Sequence, residues 1–165
     1  MNKAILAATS AVVGATAISG SAASQTRSDT WYSRLRKPSY VPPSGVFPVA
    51  WTTLYGDIAV TSAAGVDRLR QRGETAKLRG LVAALALNLV LNGGWSWLFF
   101  RCRRLGLAAV GAAALTASSA DLTRRVGQAE PRAGVALLAY PLWCAFATVM
   151  SADIWRRNRD QTAST

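Results

Sequence analysis

Residues 81–100 read LVAALALNLVLNGGWSWLFF, a run of twenty positions without a charge. A helix rises about 1.5 Å per residue, so this run spans the roughly 30 Å hydrocarbon core of a bilayer. In lipid every backbone polar group must be bonded internally, which makes a helix the expected form. Asn88, Asn92 and Trp95 follow one another at i, i+4 and i+7 and therefore share one face. Amides at membrane depth are costly unless partnered. Two readings stay open: the pair bonds neighbouring helices as glue, or one of them lines a ligand cavity. Gly93-Gly94 permits close backbone approach, as in a helix–helix contact or a dimer seam.

Working outward, the same segregation of charge recurs. The chain has 165 residues and a net charge of +11, with 19 Lys and Arg against 8 acids. That balance on its own suggests nucleic-acid binding. Its placement argues against that partner, because all 19 basic residues lie outside five blocks at 4–23, 46–66, 80–100, 105–123 and 133–155. Inside them the only acids are Asp57, Asp121 and Asp153. The fold class this predicts is an all-α integral membrane protein. It is a five-transmembrane-helix bundle, one domain over 1–165, with a loop at 24–45 and the lipid bilayer as its first partner. The first block, one Lys and an Ala/Val/Ile run ending in small residues, also has the form of a cleavable secretory signal.

The positive-inside rule does not orient five such spans. One side collects Lys3, Arg68, Arg70, Arg72, Lys77, Arg79, Arg124, Arg125 and Arg132. The other collects Arg27, Arg34, Arg36, Lys37, Arg101, Arg103, Arg104, Arg156, Arg157 and Arg159. The basic 67–79 loop suits snorkelling onto anionic headgroups. Asp121, beside Arg124 and Arg125, reads as a solvated interface charge.

Residues 31–55, WYSRLRKPSYVPPSGVFPVAWTTLY, join the first two blocks. Pro38, Pro42 and Pro43 each fix φ and push the preceding residue towards extended backbone. A semi-rigid, extended lid over 38–43 is expected. Ser44 is the candidate N-cap of the next helix, with Pro48 in its first turn. Trp51 and Tyr55 lie one turn apart. The stretch is either an interfacial aromatic belt or a lid over a ligand.

The fourth block is built of small residues and should pack without chemistry. The fifth, AGVALLAYPLWCAFATVMSADIWRRN, carries Tyr140, Trp143 and Ala147 on one face. Pro141 should free the carbonyl of Leu137 and kink the helix. Trp155 with Arg156 and Arg157 reads as an interface anchor.

Several chemistries are absent from the residue list. There is no His, and Cys102 and Cys144 form no ligand cluster, so a histidine-ligated haem or zinc is excluded within one chain. No nucleophile–base pair, phosphate loop or paired carboxylate stands out. Asp57, the acid deepest in a block, is either a proton or cation site or bonded to Thr53 or a helix neighbour.

The patterns W-Y-x-x-L-x-K-P-x-x-x-P-P-x-x-V-F-P-x-x-W-T-x-L-Y from Trp31, L-N-x-x-W-S-x-L-F-F from Leu91, and Y-x-x-W-x-x-F-A ending in I-W-R-x-N from Tyr140 to Asn158 resemble the TspO family. This is the tryptophan-rich sensory or translocator-protein family, also called the peripheral benzodiazepine receptor, and the resemblance is to a bacterial member. There are departures. Asn88 stands where Gln is usual, Ala139 where the family has Pro, and Tyr40 and Gly45 where Trp is frequent. Ser151 and Ala152 replace the Asn and Tyr of the cholesterol-recognition pattern, which argues against a sterol.

The resemblance favours a first helix over a signal peptide, a homodimer, and a cytoplasmic C-terminus in the bacterial cell membrane. It implies a pocket under the first loop that holds a tetrapyrrole such as protoporphyrin IX non-covalently, with no covalent cofactor and no metal. The expected lining is Trp31, Pro42, Trp51, Tyr55, Asn88, Asn92, Trp95, Tyr140, Trp143, Phe146 and Ala147. Arg34 and Lys37 would stand ready for propionates. Binding for sensing or transport, regulating porphyrin levels or a stress response, is the expected function. The alternative is light- and oxygen-dependent breakdown of protoporphyrin, with Trp51 and Trp143 as the candidate catalytic residues. A small exporter centred on Asp57 would leave the Trp/Pro loop unexplained.

Overall fold

The computed structural model describes residues 1–25 and 28–162. Arg27, one of the basic residues assigned to the loop side, lies outside them. Helices α1 (Lys3–Gln25), α2 (Ser28–Arg34), α3 (Val46–Gln71), α4 (Thr75–Ser96), α5 (Leu105–Ala129), α6 (Pro131–Ala136) and α7 (Ala139–Thr162) account for the fold. A π-helical turn, Trp97–Arg101, extends α4. No strand occurs among the described residues.

Most of these helices outrun the apolar blocks, because Arg, Lys and Gln are good helix formers once clear of lipid. Thus α3 continues to Gln71 and α4 begins at Thr75. The turn between them is closed by Gly73, whose φ of 69° suits a residue without Cβ. Glu74 N–H bonds Leu69 O at 3.0 Å and Gly73 N–H bonds Arg70 O at 3.1 Å, the paired bonds of a Schellman ending.

Three expectations are corrected here. Residues 24–45 are not all loop, since α1 runs to Gln25 and α2 occupies Ser28–Arg34. Nor is 38–43 one straight extended lid, for Val41 N–H turns back to Pro38 O at 3.3 Å. Ser44 does not cap α3. The cap position is Gly45, without a side-chain bond, and Val46 N–H is taken by Pro43 O at 2.9 Å.

The last block is two helices rather than one. Pro131 opens α6 at its first turn, where the missing N–H costs least. The break comes at Leu137–Leu138, four residues before Pro141, as a proline demands. The Leu137 carbonyl that Pro141 cannot bond is taken by Tyr140 N–H at 3.1 Å.

α1 packs on α3 and α4, α4 on α5, and α5 along α7, while α3 and α7 touch only sparingly. Gly127 and Gly134 bring α5 and α6 so close that a Cβ on Gly134 would meet the Gly127 backbone. Val13 of α1 is buried in the main core, so the first block is a structural helix of this bundle. Ile18, Val90, Val110 and Leu142 are 73%, 71%, 67% and 70% exposed. Apolar side chains turned outward along helices of this length require lipid around them.

Among the described residues, four helical stretches are long and apolar enough to cross a membrane: Lys3–Ser24, Thr75–Arg101, Leu105–Ala129 and Pro131–Arg159, the last made of α6 and α7. α3 has the length, at 26 residues, but Thr52, Thr53, Asp57, Thr61 and Ser62 make it more polar than those four.

Candidate ligand site at the loop-bearing end

A polar network lies at the centre of the bundle. Tyr140 Oη donates to Asn88 Oδ1 at 2.8 Å and accepts from Asn92 Nδ2 at 3.0 Å. Tyr55 Oη donates to Asn92 Oδ1 at 2.7 Å, and Asn88 Nδ2 donates to Ser118 Oγ at 3.3 Å. Asn88, Asn92 and Tyr140 are each at most 1% exposed. Both asparagines therefore act as bonds between α3, α4, α5 and α7, the glue alternative of the two. An unpaired member here would cost about 1–3 kcal/mol, so the network is either complete or a liability.

Aromatic rings stand between this network and the loop end. Trp51 and Tyr55 of α3 lie 5.5 Å apart, centroid to centroid. Trp143 of α7 meets Phe47 at 6.1 Å and Phe146 at 5.6 Å. Trp95 stacks on Phe99 at 5.5 Å, and Trp31 meets Phe99 edge-on at 6.0 Å. Two sub-clusters result. Trp51, Tyr55, Tyr140 and Trp143 sit with the main core, while Trp31, Trp95 and Phe146 join a second core around Phe99, Met150 and Ile154. The Trp143–Phe146 contact links them. Ala147 is buried beside these rings at 8% exposure.

The indole N–H groups of Trp95 and Trp143 are buried, and among the described residues neither meets an acceptor. Buried Trp normally finds one, so both sites are short of a hydrogen-bond partner.

The loop covers this wall. Tyr32 packs on Phe99 and Phe100 at 6.2 and 6.1 Å. Tyr40 lies edge-on to Phe146 at 6.1 Å and donates to Asp153 at 3.1 Å. Local desolvation first, and then the bond to Asp153, hold the Tyr40 phenol above its usual 10.0, so it remains a donor. Pro42 is half-buried and Arg34 exposed at the end of α2. Lys37 Nζ stands 4.1 Å over the Tyr32 ring, and Arg103 lies 5.3 Å from Trp31. Open clefts among the described residues include one of about 510 Å³ between Asn2, Asp67 and Gln71, away from the wall, and one of about 350 Å³ among Asp153, Arg156 and Arg157, beside the Tyr40 bond.

Several contributors escaped the sequence reading. Phe47, Phe99 and Phe100 were legible as motif residues but not as ring partners. The π-helical turn, closed by Cys102 N–H to Trp97 O at 2.9 Å, accompanies the burial of Phe99 at 2% exposure, and no local signal announces it. Asp67, at the start of the basic loop, is buried. It is 8% exposed and accepts from Asn2 N and Gln71 Nε2, both at 3.1 Å. Thr53 does not hold Asp57, for its hydroxyl bonds Val49 O at 3.0 Å. Among the described residues the half-buried Asp57 carboxylate has no hydrogen bond. Asp121, read as a solvated charge, is half-buried and pairs with Arg124 and Arg125 at 2.5 and 2.6 Å.

Fold and site together define an all-helical membrane protein with a Trp-rich segment folded over one end of its bundle. A family model described as TspO/MBR matches residues 6–156. The chain is 34% identical over 128 residues to Protein CrtK of Rhodobacter capsulatus, covering 78% of each. It is 33% identical to the human Translocator protein, covering 78% of this chain and 75% of that one. Against the Tryptophan-rich sensory protein of Cereibacter sphaeroides the identity is 31%, over 79% and 78%. The chain belongs to the TspO/MBR family. It is an integral membrane protein, and its relatives support a receptor- or transport-type role.

Proposed function

We propose that this protein binds a flat tetrapyrrole, protoporphyrin IX or a haem-like relative, non-covalently among the Trp rings under residues 31–47, and so regulates porphyrin levels or a stress response. The observation that carries this reading is the pair of buried, unpartnered indole N–H groups, Trp95 and Trp143, set in a wall of aromatic faces. A tetrapyrrole offers both things the wall lacks, a broad π surface to stack on and nitrogen or carboxylate acceptors. Arg34 and Lys37 at the rim suit its propionates. The rings now meet one another, so the ligand enters by parting them.

The same proposal makes α3 a fifth span, packed on α1, α4 and α5 with Thr61 and Ser62 buried, and the C-terminus cytoplasmic. It also includes a homodimer. Gly94, exposed and with nothing within 4 Å of an added Cβ, leaves a smooth patch on α4 for a second copy. Tag accessibility in intact cells tests the five spans, and termini on one side would count against them.

Absorption spectra of the purified protein with protoporphyrin IX, dark and then illuminated, test the ligand. Binding in the dark with no protein-dependent product is expected. Trp143→Phe should weaken affinity by about 0.5–1.5 kcal/mol, the scale of one aromatic contact. Catalytic bleaching, lost in Trp143→Phe with dark affinity kept, would instead establish the breakdown reading.

A further inference from the structure

Asn158 lies near the end of α7, outside the aromatic wall. Its Oδ1 accepts from Arg36 N–H at 3.0 Å, and its Nδ2 donates to Arg36 O at 3.0 Å. The second Nδ2 hydrogen goes to Ile154 O of its own helix at 2.7 Å. Both donors and the acceptor are thus used, at 1% exposure. The amide imitates a strand neighbour, clasping both backbone groups of one residue 122 positions away in the chain. No other side chain reproduces this. Asp lacks the donors, Gln is a methylene too long, and Ala has neither group.

The anchors on either side of the clasp are unequal. On its N-terminal side, Trp31 and Tyr32 are packed on Phe99 and Phe100. On the other side, Pro38 is buried and Val41 packs against the second core, while the 43%-exposed Tyr40 makes one bond to Asp153 and one edge contact with Phe146. Pro38, Pro42 and Pro43 stiffen that piece internally. It ends at Gly45, where an added Cβ would meet nothing within 4 Å, before Phe47 settles on Trp143. Between the clasp and Gly45, this stiff piece moves as a unit.

We propose that Asn158 is the positioning residue of the ligand site. By pinning the backbone of Arg36 it holds Trp31 and Tyr32 in place and makes 38–45 a hinged flap over Trp143 and Phe146, latched by Tyr40 and Asp153. The proposal rests on the ligand reading above. In it, ligand passes under the flap while the clasp stays closed, and Asn158 sets how fast ligand leaves without touching it.

The test uses the full chain in lipid nanodiscs, with Asn158→Ala, Asn158→Asp and Tyr40→Phe. Hydrogen exchange without ligand should rise about tenfold over residues 34–37 in Asn158→Ala, where Arg36 loses both partners. Asn158→Asp keeps the acceptor and should fall between Ala and native. Tyr40→Phe should leave 34–37 unchanged and speed exchange at 39–41. Dissociation of protoporphyrin IX, followed by fluorescence, should quicken about tenfold in Asn158→Ala and less in Tyr40→Phe, with association faster in both.

Unchanged exchange at 34–37 in Asn158→Ala overturns the clasp. Raised exchange with unchanged dissociation overturns the positioning role. A variant that merely destabilises the fold would lower the melting temperature and slow association, which also counts against the proposal. Failure of the native chain to bind porphyrin defeats the ligand reading and with it the positioning role, while the exchange arm still judges the clasp.

Discussion

The two ends of this bundle carry nearly equal numbers of basic residues and differ in what those residues meet. At the α3–α4 end, carboxylates answer them: Arg68 faces Glu130 at 3.6 Å, Arg72 and Lys77 meet Glu74 at 3.8 and 2.5 Å, and Asp121 holds Arg124 and Arg125. At the loop end Arg157 meets Asp153 at 3.7 Å, but aromatic faces answer others: Lys37 lies over Tyr32, Arg103 over Trp31 and Arg101 over Trp97 at 5.7 Å. The connections differ accordingly. A short Schellman turn closes one end, while α2, the stiff 38–45 piece and the Asn158 clasp cover the other. Exposed ion pairs contribute little each and are screened by salt. Ring faces can part and re-form stacked or edge contacts on another flat surface. Under the proposed ligand reading, the loop end is the one that opens.

The hardest blow to both ends together is to the network between them. Tyr140→Phe removes one hydroxyl and leaves Asn88 Oδ1 and Asn92 Nδ2 unpaired in the core. A loss of about 1–3 kcal/mol is expected, read as a lower unfolding midpoint in mild detergent. An unchanged midpoint would mean the helices do not depend on these bonds.

A smaller change should fall on the loop end alone. Replacing Pro42 and Pro43 by Gly loosens the flap before binding and should weaken protoporphyrin affinity by about 1 kcal/mol. Hydrogen exchange at the α3–α4 turn should not move. Unchanged affinity in the folded double variant would make 38–45 an interfacial element only.

The smallest effects belong to the charged end. Asp121→Asn should cost well under about 1 kcal/mol, because its partners are 37–54% exposed, and should leave ligand affinity alone. At Glu74 the hydrogen bond from Lys77, then the charges of Lys77 and Arg72, hold the carboxyl below its usual 4.5. A depressed carboxyl contributes stability above its unfolded value and loses it as pH falls through the folded one. Exchange at residues 73–75 should therefore quicken below about pH 4.5, the ordinary Glu range, while residues 34–37 stay unchanged. A loop end equally sensitive to acid would erase the contrast drawn here.

Much of this was legible along the chain. Charge-free blocks marked the long helices because lipid tolerates no unpaired backbone and few charges, a constraint that acts on each segment separately. The spacing of Asn88 and Asn92, and the break ahead of Pro141, follow from helical geometry and proline chemistry alone. The aromatic residues of the site could be named, but not sorted into two sub-clusters, since ring partners come from helices far apart in sequence.

The sequence by itself determined an all-helical membrane bundle, a Trp-rich segment at one end and a polar line through the middle, because these follow from composition and local period. Only the tertiary structure decided the rest. α2, seven residues long, is too short to be stable alone and exists because Trp31 and Tyr32 find Phe99 and Phe100. Gly45 rather than Ser44 stands at the head of α3 because the Pro43 carbonyl reaches Val46 first. Asp67 is buried because α1 brings Asn2 to it, and Asn158 becomes a clasp because folding lays Arg36 across the end of α7. Each of these depends on a contact between distant positions, and such a contact has no period, spacing or composition to betray it.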